Sequence, residues 1–203
     1  MSLVTVIILL LLVIVVPAGA VLKYLSLDNG PYHSLPAPCA TLNSDVGKRF
    51  TGDLPGEPVT QFDGGRNPQV GCHWAVEGAF LADLSYERYS RDWRGFRSSR
   101  EEAHELYEFS RRSQLSSDSL SFDIRHRDEN TYGNEAYILV KSYDSGMMVV
   151  RAEARYGNVL ISVERADVNR GGRLISGRDL DDALKAVLEP TRQLLRDAAE
   201  ELR

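Results

Sequence analysis

Five arginines fall at every third position between Tyr86 and Arg100: Arg88, Arg91, Arg94, Arg97 and Arg100, with Tyr89, Trp93 and Phe96 between them. Guanidinium groups interleaved with aromatic rings have the chemistry of an anion-binding surface, suited to lipid headgroups or cell-wall polyanions. A repeat of three fits neither a strand nor an α-helix, and lines one face only in a polyproline II or 3₁₀ stretch. With Arg88 ending a strand and Arg100 beginning a helix, Arg91, Arg94, Arg97 and Trp93 remain in the connecting loop as a candidate anionic-ligand patch. The competing reading is a solvated loop over a sheet edge, with Trp93 or Phe96 tucked underneath, and on sequence alone it is the stronger of the two. Arginine outnumbers lysine 20 to 4 along the whole chain, which a GC-rich genome also produces.

A second group has metal-ligand types. Glu101, His104, Glu105 and Glu108 share a helical face by 3–4 spacing. Acidic residues near a helix N-terminus also stabilise it against the macrodipole, so we read this as a solvated face and expect no metal. His73 stands next to Cys72 on a strand, pointing the opposite way, and is expected to be partly buried and structural. The chain has no G-x-S-x-G elbow, no H-E-x-x-H, no phosphate-binding loop and no C-x-x-C. We therefore expect no catalytic residues, no cofactor and no enzymatic activity. A net charge of -5 argues against a nucleic-acid partner.

These residues sit in a chain whose start decides the compartment. Leu3 to Leu22 is 20 residues without a charge, which as a helix is about 30 Å, enough to cross a bilayer core. Two readings compete: an uncleaved single-pass anchor, and a signal peptide cut near Ala20, where Ala18 and Ala20 match a peptidase site. Either exports the rest. Cys39 and Cys72, the only cysteines, then read as one disulfide in an oxidising compartment, which places the C-terminal domain outside.

The expected organisation is an anchor or signal peptide over 1–22, a linker over 23–37 and an extracytoplasmic domain over 38–203. Lys23 to Pro38 carries three prolines and the Asn29-Gly30 turn signal. A short helix is expected within Thr41–Phe50, with Asn43 or Ser44 as N-cap, then a long Gly/Pro-rich loop from Gly52 to Val70. From Gly71 a hairpin follows, turning near Glu77-Gly78, with Phe80, Ala82, Leu84 and Tyr86 alternating against polar neighbours. Ser98 or Ser99, with Glu101 or Glu102, caps a helix. After a polar stretch with a short strand, three strands turn through Asp144-Ser145-Gly146 and Tyr156-Gly157-Asn158, so they are antiparallel neighbours. Leu180, Leu184, Leu188, Leu195 and Leu202 lie on one face of a long C-terminal amphipathic helix, kinked at Pro190. The class is α+β: an antiparallel sheet with helices packed on one face.

The segments "PCATLNSDVG", "GCHW", "GNEAYILV" and "MVVRAEARYGNVLISVE", followed by that helix, resemble an actinobacterial envelope-domain family of unknown function, found in secreted lipoproteins and membrane-anchored proteins. The likeness runs from about Pro38 to Leu202. It implies an extracytoplasmic domain with a Cys39–Cys72 bridge and no catalytic residues. One departure is that Ala20 stands where many members carry a lipidated cysteine, so the apolar helix itself has to hold the protein at the membrane. The reading is a non-enzymatic, membrane-tethered envelope domain that binds a ligand, an envelope protein or a polyanion. The alternative is a secreted structural or accessory envelope protein with no specific ligand.

Overall fold

In a computed structural model of the chain, the structure describes residues 19, 21–23, 25, 27–41, 56–63, 67–76, 80–92, 96–116, 121–128, 133–143, 147–168 and 191–202. The elements are α1 (Pro38–Thr41), β1 (Glu57–Asp63), β2 (Asn67–Val76), β3 (Phe80–Arg88), α2 (Ser99–Ser116), β4 (Ser121–Asp128), β5 (Glu135–Tyr143), β6 (Met147–Tyr156) and β7 (Val159–Val168). The helix at the C-terminus, α3, is described over 191–200. Nearly all of the apolar run Leu3–Leu22, residues 169–190 with the kink expected at Pro190, and the stretch 42–55 lie outside the described residues. Among the described residues no helix is long and apolar enough to cross a membrane.

The strands form one antiparallel sheet in the order β1-β2-β3-β7-β6-β5-β4. The chain lays down β1 to β3, crosses to the far edge through α2, and returns through β4 to β7 until β7 pairs with β3. That crossing spans four strand spacings, about 19 Å, and an 18-residue helix of about 27 Å covers it. Local chemistry starts α2 where expected. Ser98 is the N-cap: its Oγ accepts from the Glu101 amide (3.3 Å), and its own amide donates to Glu101 Oε2 (2.7 Å). The turn from β6 to β7 also falls as read, with Gly157 at a positive φ of 58°.

Three expectations change. The stretch Gly52 to Val70, read as a loop, contains β1 and the start of β2, paired from Glu57↔His73 to Asp63↔Asn67. Pro58 and Gly56 hide the signal, yet an edge strand tolerates proline because one side of its ladder is unpaired. Helices lie on both faces of the sheet instead of one. Leu194, Leu195 and Ala198 of α3 pack on Leu84, Val150, Ile161 and their neighbours, whereas Ala103 and Tyr107 of α2 pack on Tyr89, Tyr137, Leu139 and Leu160. The second face is apolar only at that end, which is why simple alternation predicts one covered face.

The third change concerns the stretch read as a linker, which is docked on the domain over residues 28–33. Asn158, almost fully buried, donates from Nδ2 to the carbonyls of Asn29 (3.2 Å), Tyr32 (3.0 Å) and Tyr89 (3.2 Å), and its Oδ1 accepts from the Tyr32 amide (3.1 Å). Gly30 sits at φ 77° directly against the Asn158 side chain, where a Cβ has no room. Arg100 pairs with Asp28 at 2.9 Å, and Ser99 donates twice to the Asp28 carbonyl. Cys39 and Cys72 are bridged, with Cα atoms 5.2 Å apart, so α1 is fastened to the middle of β2.

Candidate functional site

The face that carries α2 is covered only in part. Beyond the helix the sheet is open, and register alone decides which side chains meet there. His73 lies directly opposite Asp83, Asp83 opposite Glu164, and Glu164 opposite Arg151, a row of charges across β2, β3, β7 and β6. The next row reads Gly71, Ser85, Ser162, Glu153 and Tyr137. Three adjoining cavities of about 440, 490 and 390 Å³ follow these rows, and Arg151 lines all three. Together they form a groove with charged residues at its centre and Leu81, Leu139, Met147 and Val149 along the second cavity.

The centre of the floor is Glu153, whose side chain is 3% exposed. Its Oε2 accepts from Ser110 Oγ on α2 (3.0 Å), from the Tyr137 hydroxyl (3.3 Å) and from Arg151 Nη2 (3.0 Å). Its Oε1 is buried with no partner among the described residues, and so is Nε of Arg151. Arg151 also donates through Nη1 to Glu164 at 3.1 Å. Burial alone favours the neutral form of this guanidinium, but the charge of Glu153 beside it prevails and holds its pKa above the usual value. Burial first, and the negative charge of Glu153 second, push the Tyr137 hydroxyl up to about 12. Tyr137 is thus kept as a neutral donor, tilted against the Tyr107 ring with centroids 5.7 Å apart.

At the β2 end, His73 Nδ1 and Asp83 Oδ1 are 2.7 Å apart, both partly exposed. A histidine oriented by an aspartate is half of an acid–base arrangement. Among the described residues no hydroxyl hydrogen-bonds this ring, so the second half is not assembled. At the α2 end, the exposed ring of Phe109 stands at the rim of the third cavity.

Among the described residues, the sequence-derived Cys39, Arg91 and Arg97 do not line these cavities, and Cys72 borders the first. Cys39 and Cys72 are the bridge. Trp93 and Arg94 lie outside the described residues. Asp92 and Arg97 close the loop on itself through two backbone hydrogen bonds, and Arg97 pairs with Glu102 (3.3 Å) and Glu105 (2.5 Å) of α2. Arg91 is half-buried. The described part of the patch therefore binds its own helix through Arg97. His104 Nδ1 donates to Glu135 Oε2 at 2.9 Å, and Arg155 Nε donates to the same oxygen at 2.8 Å. Burial of Glu135 works against its charge, but the hydrogen bonds from Arg155 and His104 outweigh it and lower its pKa. Among the described residues no three His, Cys, Asp or Glu side chains converge as a metal site. The groove residues were missed by motif reasoning, although one signal was present: "RAEAR" sets charges at every second position of an otherwise apolar strand.

No known family profile and no curated protein matches the chain. Among solved structures, the extracellular domain of PknH from Mycobacterium tuberculosis aligns over 85% of this chain and 97% of its own, at 11% identity and a TM-score of 0.48. TTHA0849 from Thermus thermophilus aligns over 86% and 95%, at 10% identity and a TM-score of 0.23. Ara h 8.0201 aligns over 85% and 95%, at 10% identity and a TM-score of 0.18. Likenesses this loose carry no argument about function.

Proposed function

We propose that the chain is a non-enzymatic, extracytoplasmic ligand-binding domain of the cell envelope, held at the membrane by its apolar N-terminal segment. The groove beside α2 is its binding surface. The observation that carries the binding role is Glu153: a carboxylate buried at the floor of an open groove, with all its intramolecular hydrogen bonds on one oxygen. Leaving a buried acceptor unpaired costs about 1–3 kcal/mol, and a fold has reason to keep it where a ligand supplies the donor. The Cys39–Cys72 bridge supports an oxidising compartment. The 20-residue apolar run ends at Leu22, and the chain is already docked on the domain from Asp28. In this reading the domain sits close to the bilayer surface without a long tether.

The test of binding uses the full chain in a nonionic detergent. Its thermal-unfolding midpoint is measured against ammonium compounds, neutral polyhydroxyl compounds, and phosphates and carboxylates. At least one class raises the midpoint of the wild type in a saturable way. Gly71→Trp, which puts an indole into the groove at a position where a Cβ meets only ordinary contacts, abolishes that rise. If no class stabilises the wild type, the binding role is wrong. Location is tested separately: a C-terminal alkaline phosphatase fusion is active and a β-galactosidase fusion inactive, and the opposite pair contradicts export.

A further inference from the structure

Phe96 stands where a bulky apolar residue is unfavourable twice over. Asp92 and Arg97 exchange two backbone hydrogen bonds (3.0 and 3.1 Å) and close a loop over 93–96, of which Phe96 is the last member. Its φ is 51°, in the left-handed region where glycine or asparagine is the usual occupant. Its ring is exposed to 37%, and the Lys23 ammonium stands 5.3 Å from the ring centroid, within cation–π range. Lys23 is the first charged residue after the apolar run, and Val21, Leu22 and Leu25 around it are exposed. The same end of the domain is fixed a second time. The Asp28 carbonyl accepts from the Ser99 amide and from Ser99 Oγ, and its carboxylate pairs with Arg100 at 2.9 Å. Only residues 23–27 separate Leu22 from Asp28, and even fully extended that stretch spans about 20 Å. The loop that ends just before Ser99 is therefore held close to the point where the apolar run stops.

From this placement we infer that the Phe96 loop is a second membrane contact, whose ring enters the interfacial layer of the bilayer that holds the apolar run. This rests on the tether proposed above and adds what a tether alone does not give: a fixed orientation of the domain, with the start of α2 toward the bilayer. A lysine just past an apolar span carries its ammonium into the headgroups while its stem stays in apolar surroundings. An aromatic ring within reach of that ammonium is then at the depth where interfacial aromatic side chains gather. Arg97 is engaged by Glu102 and Glu105, and Arg100 by Asp28. The contact is thus made by the ring beside Lys23 and not by the arginine repeat.

The test places the photocrosslinker p-benzoylphenylalanine, one site at a time, in place of Leu12, Phe96 or Phe109 of the full chain. Each protein is reconstituted in nanodiscs of phosphatidylcholine and phosphatidylglycerol and irradiated, and lipid adducts are counted by mass spectrometry. Leu12 lies within the apolar run and reports the tether itself. Phe109 is more exposed than Phe96, at 65%, but stands midway along α2, so it reports chance encounters with lipid. The crosslinker keeps an aromatic ring at position 96, and circular dichroism checks that each protein is folded. Lipid adducts form at positions 12 and 96, and the yield at 96 exceeds that at 109 at least about tenfold, as insertion requires. Adducts at 12 with none at 96, or with a smaller excess of 96 over 109, overturn the inference and leave the tether standing. No lipid adduct at 12 removes the tether and the inference with it.

Discussion

Arg151 and Glu153 stand two residues apart on β6 and meet at 3.0 Å on the open face of the sheet, each keeping one buried polar atom unpaired. The pair is asymmetric in what its removal leaves behind. Arg151→Met strips Glu153 of its only cationic partner among the described residues and is expected to cost about 2–4 kcal/mol, somewhat less than a fully buried pair because Arg151 keeps some exposure. Glu153→Gln keeps an acceptor for Ser110 and Tyr137 and leaves Arg151 bonded to Glu164, so it costs less than about 1.5 kcal/mol. Urea unfolding of both variants checks this. Equal losses contradict the account of the floor.

The docked segment makes an independent prediction. Asn158→Ala leaves the Asn29, Tyr32 and Tyr89 carbonyls without their shared donor and is expected to cost about 2–3 kcal/mol. Residues 28–33 become the first site of proteolysis, with cleavage mapped by mass spectrometry. Gly30→Ala gives the same pattern, because its Cβ overlaps the Asn158 side chain. A native digestion pattern in both variants shows that the segment is held by something else.

Reduction tests the bridge. The cysteines are 33 positions apart, and the chain-entropy model gives about 3–4 kcal/mol for a loop of that size. The unfolded, unreduced protein titrates with almost no free thiol, and the reduced protein unfolds at clearly lower denaturant. Two reactive thiols per chain without reduction contradict both the bridge and the argument for export.

Acid dependence follows from Glu135. Its folded pKa lies below the usual value of 4.5, so the stability it contributes is fully present above that value and is lost as pH falls through the lowered folded pKa. Stability of the wild type therefore declines from about pH 4.5 downward. Glu135→Gln flattens that part of the profile. An unaltered acid limb in the variant contradicts the assignment.

What was legible in the sequence was local or periodic. The Ser98–Glu101 capping box, the turn at Gly157 and the alternation of Ala82, Leu84 and Tyr86 in β3 each depend on residues a few positions apart, and each falls where the pattern puts it. β1 was illegible because Pro58 and the surrounding glycines break alternation, and its stability comes from pairing with β2. The second covered face was missed because Tyr137, Leu139 and Leu160 belong to two different strands. The site was the least legible. Asp83, Glu164, Arg151 and His73 carry no motif, and only the crossing through α2 and the return through β4 to β7 bring β7 beside β3. "RAEAR" marked the strand without showing what its charges would face.

The most direct measurement is the thermal-unfolding midpoint of the wild type and of Gly71→Trp across ammonium compounds, neutral polyhydroxyl compounds, phosphates and carboxylates. The account predicts a saturable rise with at least one class in the wild type and none in Gly71→Trp. No rise in the wild type with any class, or an equal rise in Gly71→Trp, contradicts it.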